Sequence, residues 1–82
     1  MQIRYFAWMR ERVGTAVEEV DPGAATTARE LAVQLAAIDD GHALAFADLS
    51  AIRVAINQEI ADLDSPIAGA REIAFFPPVT GG

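Results

Sequence analysis

A single amphipathic helix pattern constrains the fold of this chain more than any other feature of its sequence. The apolar residues that recur at helical spacing are Ala28, Leu31, Ala32, Leu35 and Ile38. Thr27 stands at the start of this stripe with Glu30 three residues later, which is the spacing of a helix capping box. The stripe stops at Asp39-Asp40-Gly41. Because one helix covers only one face of a small sheet, we predict an α+β roll with an open sheet face.

Five short segments around this helix have the composition of β-strands. The predicted strands span residues 2–8, 15–21, 52–56, 59–61 and 72–76. Gly14 separates the first two strands, and Asn57-Gln58 is typical of a tight turn between the third and the fourth. Pro77-Pro78 removes two backbone donors and therefore ends the last strand. Residues 42–50 fit either a short helix or a loop.

Strand alternation assigns the apolar residues to two faces of the predicted sheet. The predicted core residues are Ile3, Tyr5, Leu31, Leu35, Ile38, Ile52, Val54, Ile56, Ile73 and Phe75. The residues predicted on the open face are Phe6, Trp8, Arg53, Ala55, Ala74 and Phe76. Large aromatic residues there favour a protein-docking surface, with Phe6, Phe76 and Arg53 as candidate partner contacts. The alternative is that loops cover these aromatics or that the strand register differs.

Length and charge exclude several classes of protein. At 82 residues the chain forms one domain, because cores divide into separate domains only in much longer chains. Its net charge of −6 has the wrong sign for binding nucleic acid or an anionic membrane surface, and favours a basic protein surface as partner. No apolar run reaches the roughly 18 residues that span a bilayer, and no leader pattern is present. We therefore expect a soluble, cytoplasmic protein.

The side chains provide no self-contained active site. Cysteine is absent, which excludes disulfides and thiolate metal ligands, and all six basic residues are arginine. His42 has no second histidine or cysteine to complete a transition-metal site, so we predict an ordinary surface histidine and no metal. The glycines form neither a dinucleotide-binding nor a phosphate-binding loop. We expect no cofactor bound to this chain.

The C-terminal segment is the remaining candidate for chemistry. We divide the chain into a folded body of residues 1–76 and an extended tail of residues 77–82. Beyond the prolines the chain can reach roughly 13–18 Å, at about 3.3–3.6 Å per residue. Gly81 and Gly82 have no Cβ atoms, so they can enter a narrow channel and present the terminal carboxylate to an enzyme. The alternative is a frayed, inert tail, since chain ends are commonly disordered.

The ending Phe-Phe-Pro-Pro-Val-Thr-Gly-Gly at residues 75–82 is the most distinctive sequence in the chain. It is accompanied by the segments Arg10-Glu11, Val13-Gly14-Thr15, Val54-Ala55-Ile56-Asn57-Gln58, Asp64-Ser65-Pro66-Ile67 and Glu72-Ile73-Ala74. Together these segments resemble the sulfur-carrier subunits of molybdopterin synthase, a family of ubiquitin-like β-grasp proteins. The resemblance implies a mixed sheet with one main helix packed on one face and a flexible C-terminal tail.

The resemblance also implies the chemistry of the tail. In that family an ATP-dependent, E1-like enzyme adenylates the C-terminal glycine, here Gly82, and sulfur then replaces AMP to give a thiocarboxylate. The tail, here Pro78, Val79, Thr80 and Gly81, inserts into the large subunit of a heterotetrameric synthase. There the sulfur passes to cyclic pyranopterin monophosphate, and two transfers form the molybdopterin dithiolene. ATP is used by the activating enzyme, and the carrier supplies no acid or base.

Other functions fit the same tail. A carrier of this fold would also serve thiamin synthesis or tRNA thiolation, although residues 75–80 favour the molybdenum pathway. A ubiquitin-like modifier would use the same activated C-terminus to modify lysine side chains of target proteins. A plain interaction module would carry an inert tail, so that deletion of Gly81 and Gly82 would leave its function intact.

Overall fold

The computed structural model describes residues 1–78 of the chain. Within this range the strands are β1 (Gln2–Tyr5), β2 (Val17–Glu19), β3 (Arg53–Ile56), β4 (Glu59–Ala61) and β5 (Glu72–Phe76). The helices are α1 (Ala7–Val13), α2 (Ala28–Ala36) and α3 (Asp40–Ala45), with a 3₁₀ turn at Leu49–Ala51. The sheet order is β2-β1-β5-β3-β4, with β1 parallel to β5 and the other pairs antiparallel. The helices share one core with one face of this sheet, which confirms the predicted α+β class.

The main helix, α2, begins where the capping residues predict. The Thr27 side chain accepts a hydrogen bond from the Glu30 N–H at 3.2 Å. The Glu30 carboxylate reaches back to Thr26 instead of Thr27, accepting from its backbone N–H and its hydroxyl at 2.7 Å each. The Thr27 side chain thus satisfies one orphan donor of the first turn, and the N–H groups of Ala28 and Arg29 donate to the distant carbonyl oxygens of Ser65 and Leu63.

The end of α2 differs from the prediction. The helix stops at Ala36, because Asp39 begins the next helix and its carboxylate accepts from the His42 N–H at 2.9 Å. Ile38 therefore lies in the connection between the two helices, and its side chain is exposed. The prediction that Ile38 belongs to the core is wrong. The apolar pattern of the sequence runs past the end of α2, and a residue beyond the helix need not point to the side that the helix buries. Residues 42–50, which fitted helix or loop, contain most of α3 and the 3₁₀ turn.

The first strand ends at Tyr5, earlier than the predicted strand of residues 2–8. Ala7 has a φ angle of 54°, outside the extended region, and α1 begins there. Met9 on α1 is fully buried, and Trp8 is half-buried against the same core. The prediction that Trp8 lies on the open face is wrong, because helical geometry rather than strand alternation directs its side chain.

β2 is shorter than the predicted strand of residues 15–21, and bonds between side chains and the backbone form near both of its ends. The Thr15 hydroxyl donates to the Val17 carbonyl oxygen at 3.0 Å. The Asp21 carboxylate accepts from the Gly23 N–H at 2.9 Å, which starts the turn towards α2.

The core contains most of the residues that alternation predicts. Those buried are Ile3, Tyr5, Leu31, Leu35, Ile52, Val54, Ile73 and Phe75, and Ile56 packs against them half-buried. The predicted turn at Asn57 and Gln58 is also present, with positive φ angles of 50° and 69°. Asn57 Oδ1 accepts from the N–H groups of Arg71 and Glu72, which ties this turn to the start of β5.

Candidate functional site

The open sheet face, the side of the sheet opposite α2, carries one continuous row of residues across all five strands. The strand register aligns Val17, Arg4, Ala74, Ala55 and Ile60 from edge to edge. Directly opposed residues in neighbouring strands share a face, so the row is apolar apart from Arg4. Ile60 is 78% exposed, which is a large exposure for an apolar side chain in the middle of a strand.

A groove of about 650 Å³ crosses the open sheet face next to this row. Its apolar lining consists of Phe6, Ala7, Ala55, Ala74, Phe76 and Pro77. Its polar lining consists of Arg4, Gln58 and Glu72. The sheet itself forms the floor of the groove, so the floor is held by the backbone pairing of β1, β5 and β3. Exposed apolar grooves of this kind mark interaction surfaces in soluble proteins.

The structure brings Phe6 and Phe76 together in this groove, although Phe6 arrives there differently from the prediction. Phe6 follows the last residue of β1, and its N–H donates to the Phe75 carbonyl oxygen at 3.3 Å. It is the N-cap of α1 and is 46% exposed. Phe76 is the last residue of β5 and is half-buried. The end of β1 therefore places Phe6 beside the final residue of β5.

Arg53 lies beside Phe76 on the same face. The two residues are directly opposed in the antiparallel pair of β3 and β5. The guanidinium of Arg53 donates to the carbonyl oxygens of Ser50 and Ile52, at 3.3 and 3.1 Å, which holds the side chain at the end of the sheet. All three residues predicted as partner contacts thus lie on one side of the sheet.

Sequence reasoning did not single out Arg4, which lies on the open sheet face of β1, next to the central strand β5. Its Nε atom donates to the Glu72 carboxylate, and the two side chains are 44% and 14% exposed. The sequence could have predicted this position, because Arg4 stands between the buried residues Ile3 and Tyr5 and strand alternation then places it on the opposite face.

The predicted tail leaves the body at the groove. Pro77 lines the groove, and Pro78 is half-buried directly after it. Val79, Thr80, Gly81 and Gly82 lie outside the described residues. The described part of the chain therefore ends beside the groove.

A second polar cluster lies on the other side of the sheet, around His42. The prediction of a surface histidine is wrong, because the residue is only 4% exposed. Its Nε2 atom lies 2.6 Å from Glu18 Oε2, and its Nδ1 atom lies 2.7 Å from Asp39 Oδ1. Tyr5 donates its hydroxyl proton to the same Glu18 oxygen at 2.7 Å. Glu18 is available there because it lies opposite Ile3, on the core side of β2.

The contacts within this cluster shift the pKa values of His42, Tyr5 and Asp39. Burial lowers the pKa of His42, but hydrogen bonds to Glu18 and Asp39 outweigh that effect and raise the pKa above its usual value. Burial and the hydrogen bond to Glu18 raise the pKa of Tyr5. The hydrogen bonds from His42 lower the pKa of Asp39. The hydrogen bond between His42 and Glu18 links α3 to β2, which indicates a structural role for this cluster.

The groove lining is mainly apolar and contains no serine, cysteine or histidine. Its one carboxylate, on Glu72, accepts a hydrogen bond from Arg4. Across residues 1–78, no group of three or more histidine, cysteine or acidic residues is arranged to hold a metal ion. In that same range, every helix is too short or too polar to cross a membrane.

Comparison with known proteins relates the whole chain to one family. The ThiS family matches residues 3–82. The molybdopterin synthase sulfur carrier subunit of Escherichia coli strain K12 is 40% identical over 82 residues, which cover 100% of this chain and 99% of that protein. The subunit of the same name from Haemophilus influenzae is 39% identical with the same coverage.

Solved structures share the fold. SAMP1 from Haloferax volcanii superposes with a TM-score of 0.69 at 30% identity, covering 100% of this chain and 98% of that one. A putative molybdopterin converting factor subunit from Pyrococcus furiosus superposes with a TM-score of 0.68 at 22% identity, covering 95% of each chain, and supports the fold alone. These structures confirm the expected ubiquitin-like β-grasp architecture. The two carrier subunits confirm the resemblance to sulfur carriers. Since the match spans nearly every residue, the chain belongs to the ThiS family.

Proposed function

We propose that this chain is the sulfur carrier subunit of a molybdopterin synthase and that Gly82 carries the sulfur. The observation that carries the proposal is the 40% identity to a curated carrier subunit over the full length of both chains. The ending at residues 75–82 supports it, because the tail begins directly where β5 leaves the groove. The proposal keeps the division into a body of residues 1–76 and a tail of residues 77–82.

The chemistry would take place at the terminal carboxylate in two steps. On an E1-like enzyme, a carboxylate oxygen of Gly82 attacks the α-phosphorus of ATP, and pyrophosphate leaves. The resulting mixed anhydride is a good acyl electrophile, whereas the free carboxylate is a poor one. A sulfur nucleophile then forms a carbon–sulfur bond, and AMP leaves with the carbon–oxygen bond electrons. The product is a thiocarboxylate, whose sulfur is a soft nucleophile.

The open sheet face would dock on the large subunit, with Phe6, Phe76 and Arg53 as contacts. From there Pro78, Val79, Thr80 and Gly81 would lead Gly82 into the large subunit's active site. That site would supply the acids and bases for sulfur transfer to the cyclic pyranopterin precursor. The assembly would be a cytoplasmic heterotetramer with one carrier at each end, and neither nucleic acid nor a membrane would take part.

A protein modifier is the second candidate, and one observation favours it. Small archaeal modifier protein 1 of Haloferax volcanii superposes with a TM-score of 0.64 at 27% identity, covering 96% of this chain and 97% of that one. A modifier would use the same activated Gly82, but an amine of a target protein would displace AMP and form an amide bond.

Intact-mass measurement separates the two candidates. The full chain is incubated with its cognate activating enzyme, ATP and a sulfide source, and a chain lacking Gly82 serves as the control. A carrier gains the mass difference between one sulfur and one oxygen atom, and this gain is absent in the control. Adducts with lysine side chains of other proteins would support the modifier instead. An unchanged mass, with no pyrophosphate released, would overturn both.

A further inference from the structure

The open sheet face has a local charge that differs from the net charge of the whole chain. The chain has a net charge of −6. On the three central strands, however, the charged side chains of this face are Arg4, Arg53 and Glu72, two cations against one anion. On the edge strands, Val17 and Ile60 extend the face as apolar residues, and Glu19 adds a second carboxylate beside Gln2, so the charges of the face balance. The net charge therefore does not describe the surface that would meet a partner.

The guanidinium of Arg53 is held in place, but only some of its N–H donors have hydrogen-bond acceptors. One terminal nitrogen donates to the carbonyl oxygens of Ser50 and Ile52. Within residues 1–78 its Nε and other terminal nitrogen have no hydrogen-bond acceptor. Because the residue is directly opposite Phe76, any surface that covers Phe76 also approaches these free donors.

Arg4, which lines the groove from β1, also has N–H donors without acceptors. Its Nε atom donates to Glu72, and neither terminal nitrogen has an acceptor among the described residues. An arginine has five N–H donors and none can be lost by deprotonation, so the cation stays charged when it is covered. A partner that buried Arg4 under apolar groups alone would leave charged donors without acceptors, which is strongly unfavourable.

We propose that the large subunit covers the open sheet face with an apolar centre and with carboxylates placed opposite Arg4 and Arg53. This inference rests on the proposed function and specifies the chemistry of that docking surface. Carboxylates are the acceptors that match a guanidinium in charge and in fork geometry. The apolar centre would contact Phe6, Phe76 and Ala74, while the two arginines fix the orientation of the carrier. The two arginines, and not the net charge of the chain, thus determine how the carrier docks.

Titration calorimetry with the cognate large subunit tests this proposal. The variants are Arg4→Gln and Arg53→Gln, with Arg29→Gln as the matched control. Arg29 lies on α2, on the far side of the sheet, and pairs with Asp64. Each variant makes the chain more negative by one charge, so an effect of net charge would be equal in all three. Arg53 has no ion pair within residues 1–78, so its variant tests docking even if Arg4→Gln disturbs the fold through Glu72.

We expect Kd to rise about tenfold or more in Arg4→Gln and Arg53→Gln, and to stay within about twofold of wild type in Arg29→Gln. The slope of Kd against salt concentration should also decrease in the first two variants. Equal strengthening of binding in all three would show that the partner surface is basic and would overturn the proposal. Unchanged affinity in Arg53→Gln would overturn it as well. Failure of the wild-type chain to bind would instead overturn the proposed function together with this inference.

Discussion

The Nε2 atom of His42 lies 2.6 Å from Glu18 Oε2, which joins α3 to the short edge strand β2 inside the protein. The other ring nitrogen faces Asp39 at 2.7 Å. Two carboxylates thus face one imidazole, and only the doubly protonated ring can donate to both of them. The bridge therefore depends on the charge state of His42.

Stability should fall as the pH rises above neutrality. Burial lowers the pKa of His42, but the bonds to Glu18 and Asp39 raise it above the value of about 6.5 expected in the unfolded chain. The stabilisation is fully present below about pH 6.5 and is lost as pH rises through the folded-state pKa. Thermal unfolding followed by circular dichroism should show a midpoint that decreases from pH 6 to pH 9. In His42→Gln this decrease should largely disappear, and an identical pH profile in the variant would contradict the assignment.

Phe75 and Phe76 should respond oppositely to truncation, because β5 places them on different faces. Phe75 is fully buried, so Phe75→Ala should reduce the free energy of unfolding by about 3–5 kcal/mol. Phe76 lines the groove, so Phe76→Ala should weaken binding to the large subunit by about 1–3 kcal/mol with a smaller loss of stability. Denaturant unfolding and calorimetry measure the two effects. A stability loss in Phe76→Ala as large as that in Phe75→Ala would assign Phe76 to the core.

Gly41→Ala should destabilise the contact between α1 and α3. A Cβ atom at position 41 would lie 2.4 Å from the backbone carbonyl oxygen of Arg12, and backbone cannot move aside as a flexible side chain can. We expect a loss of about 1–3 kcal/mol in the free energy of unfolding, the usual range for overpacking. Ala43→Ser on the exposed side of the same helix is the control and should change stability by less than about 0.5 kcal/mol.

Gly81→Ala should preserve the fold and impair the proposed chemistry. Gly81 lies beyond β5 in the predicted tail, and an added Cβ would hinder passage through a narrow channel. The thermal midpoint should equal that of the wild type, while the rate of adenylation or of sulfur transfer should fall by about tenfold or more. Pyrophosphate release and thiocarboxylate mass report the two steps separately. Full activity of the variant would show that the tail does not pass through a tight channel.

Local chemistry was sufficient to predict several parts of the structure. Thr27 and Glu30 gave the start of α2, and Asn57-Gln58 gave the turn between β3 and β4. Alternation gave the opposite faces of Phe75 and Phe76. The pattern that predicts each of these features spans about four positions, so it can be recognised in the sequence without knowledge of the distant contacts.

The groove could be predicted only in part. Alternation along β3 and β5 placed Arg53 and Phe76 on the open face, but the residues beyond β1 did not follow the same rule. Phe6 reaches the groove because β1 ends beside β5, and Trp8 turns to the core because α1 starts at Ala7. The parallel pairing of β1 with β5 joins the two ends of the chain. Sequence periodicity does not encode which distant strand is the neighbour.

By itself, the sequence determined the capped helix, the turn, the alternating faces of β3 and β5 and the tail residues that identify the family. Only the tertiary structure decided that His42 is buried, that Ile38 is exposed and that Arg4 lines the groove on the open sheet face. The physical reason is the range of the interactions involved. The partner of His42 is 24 residues away in Glu18, and that of Arg4 is 68 residues away in Glu72. Such contacts form only when the sheet brings distant segments together.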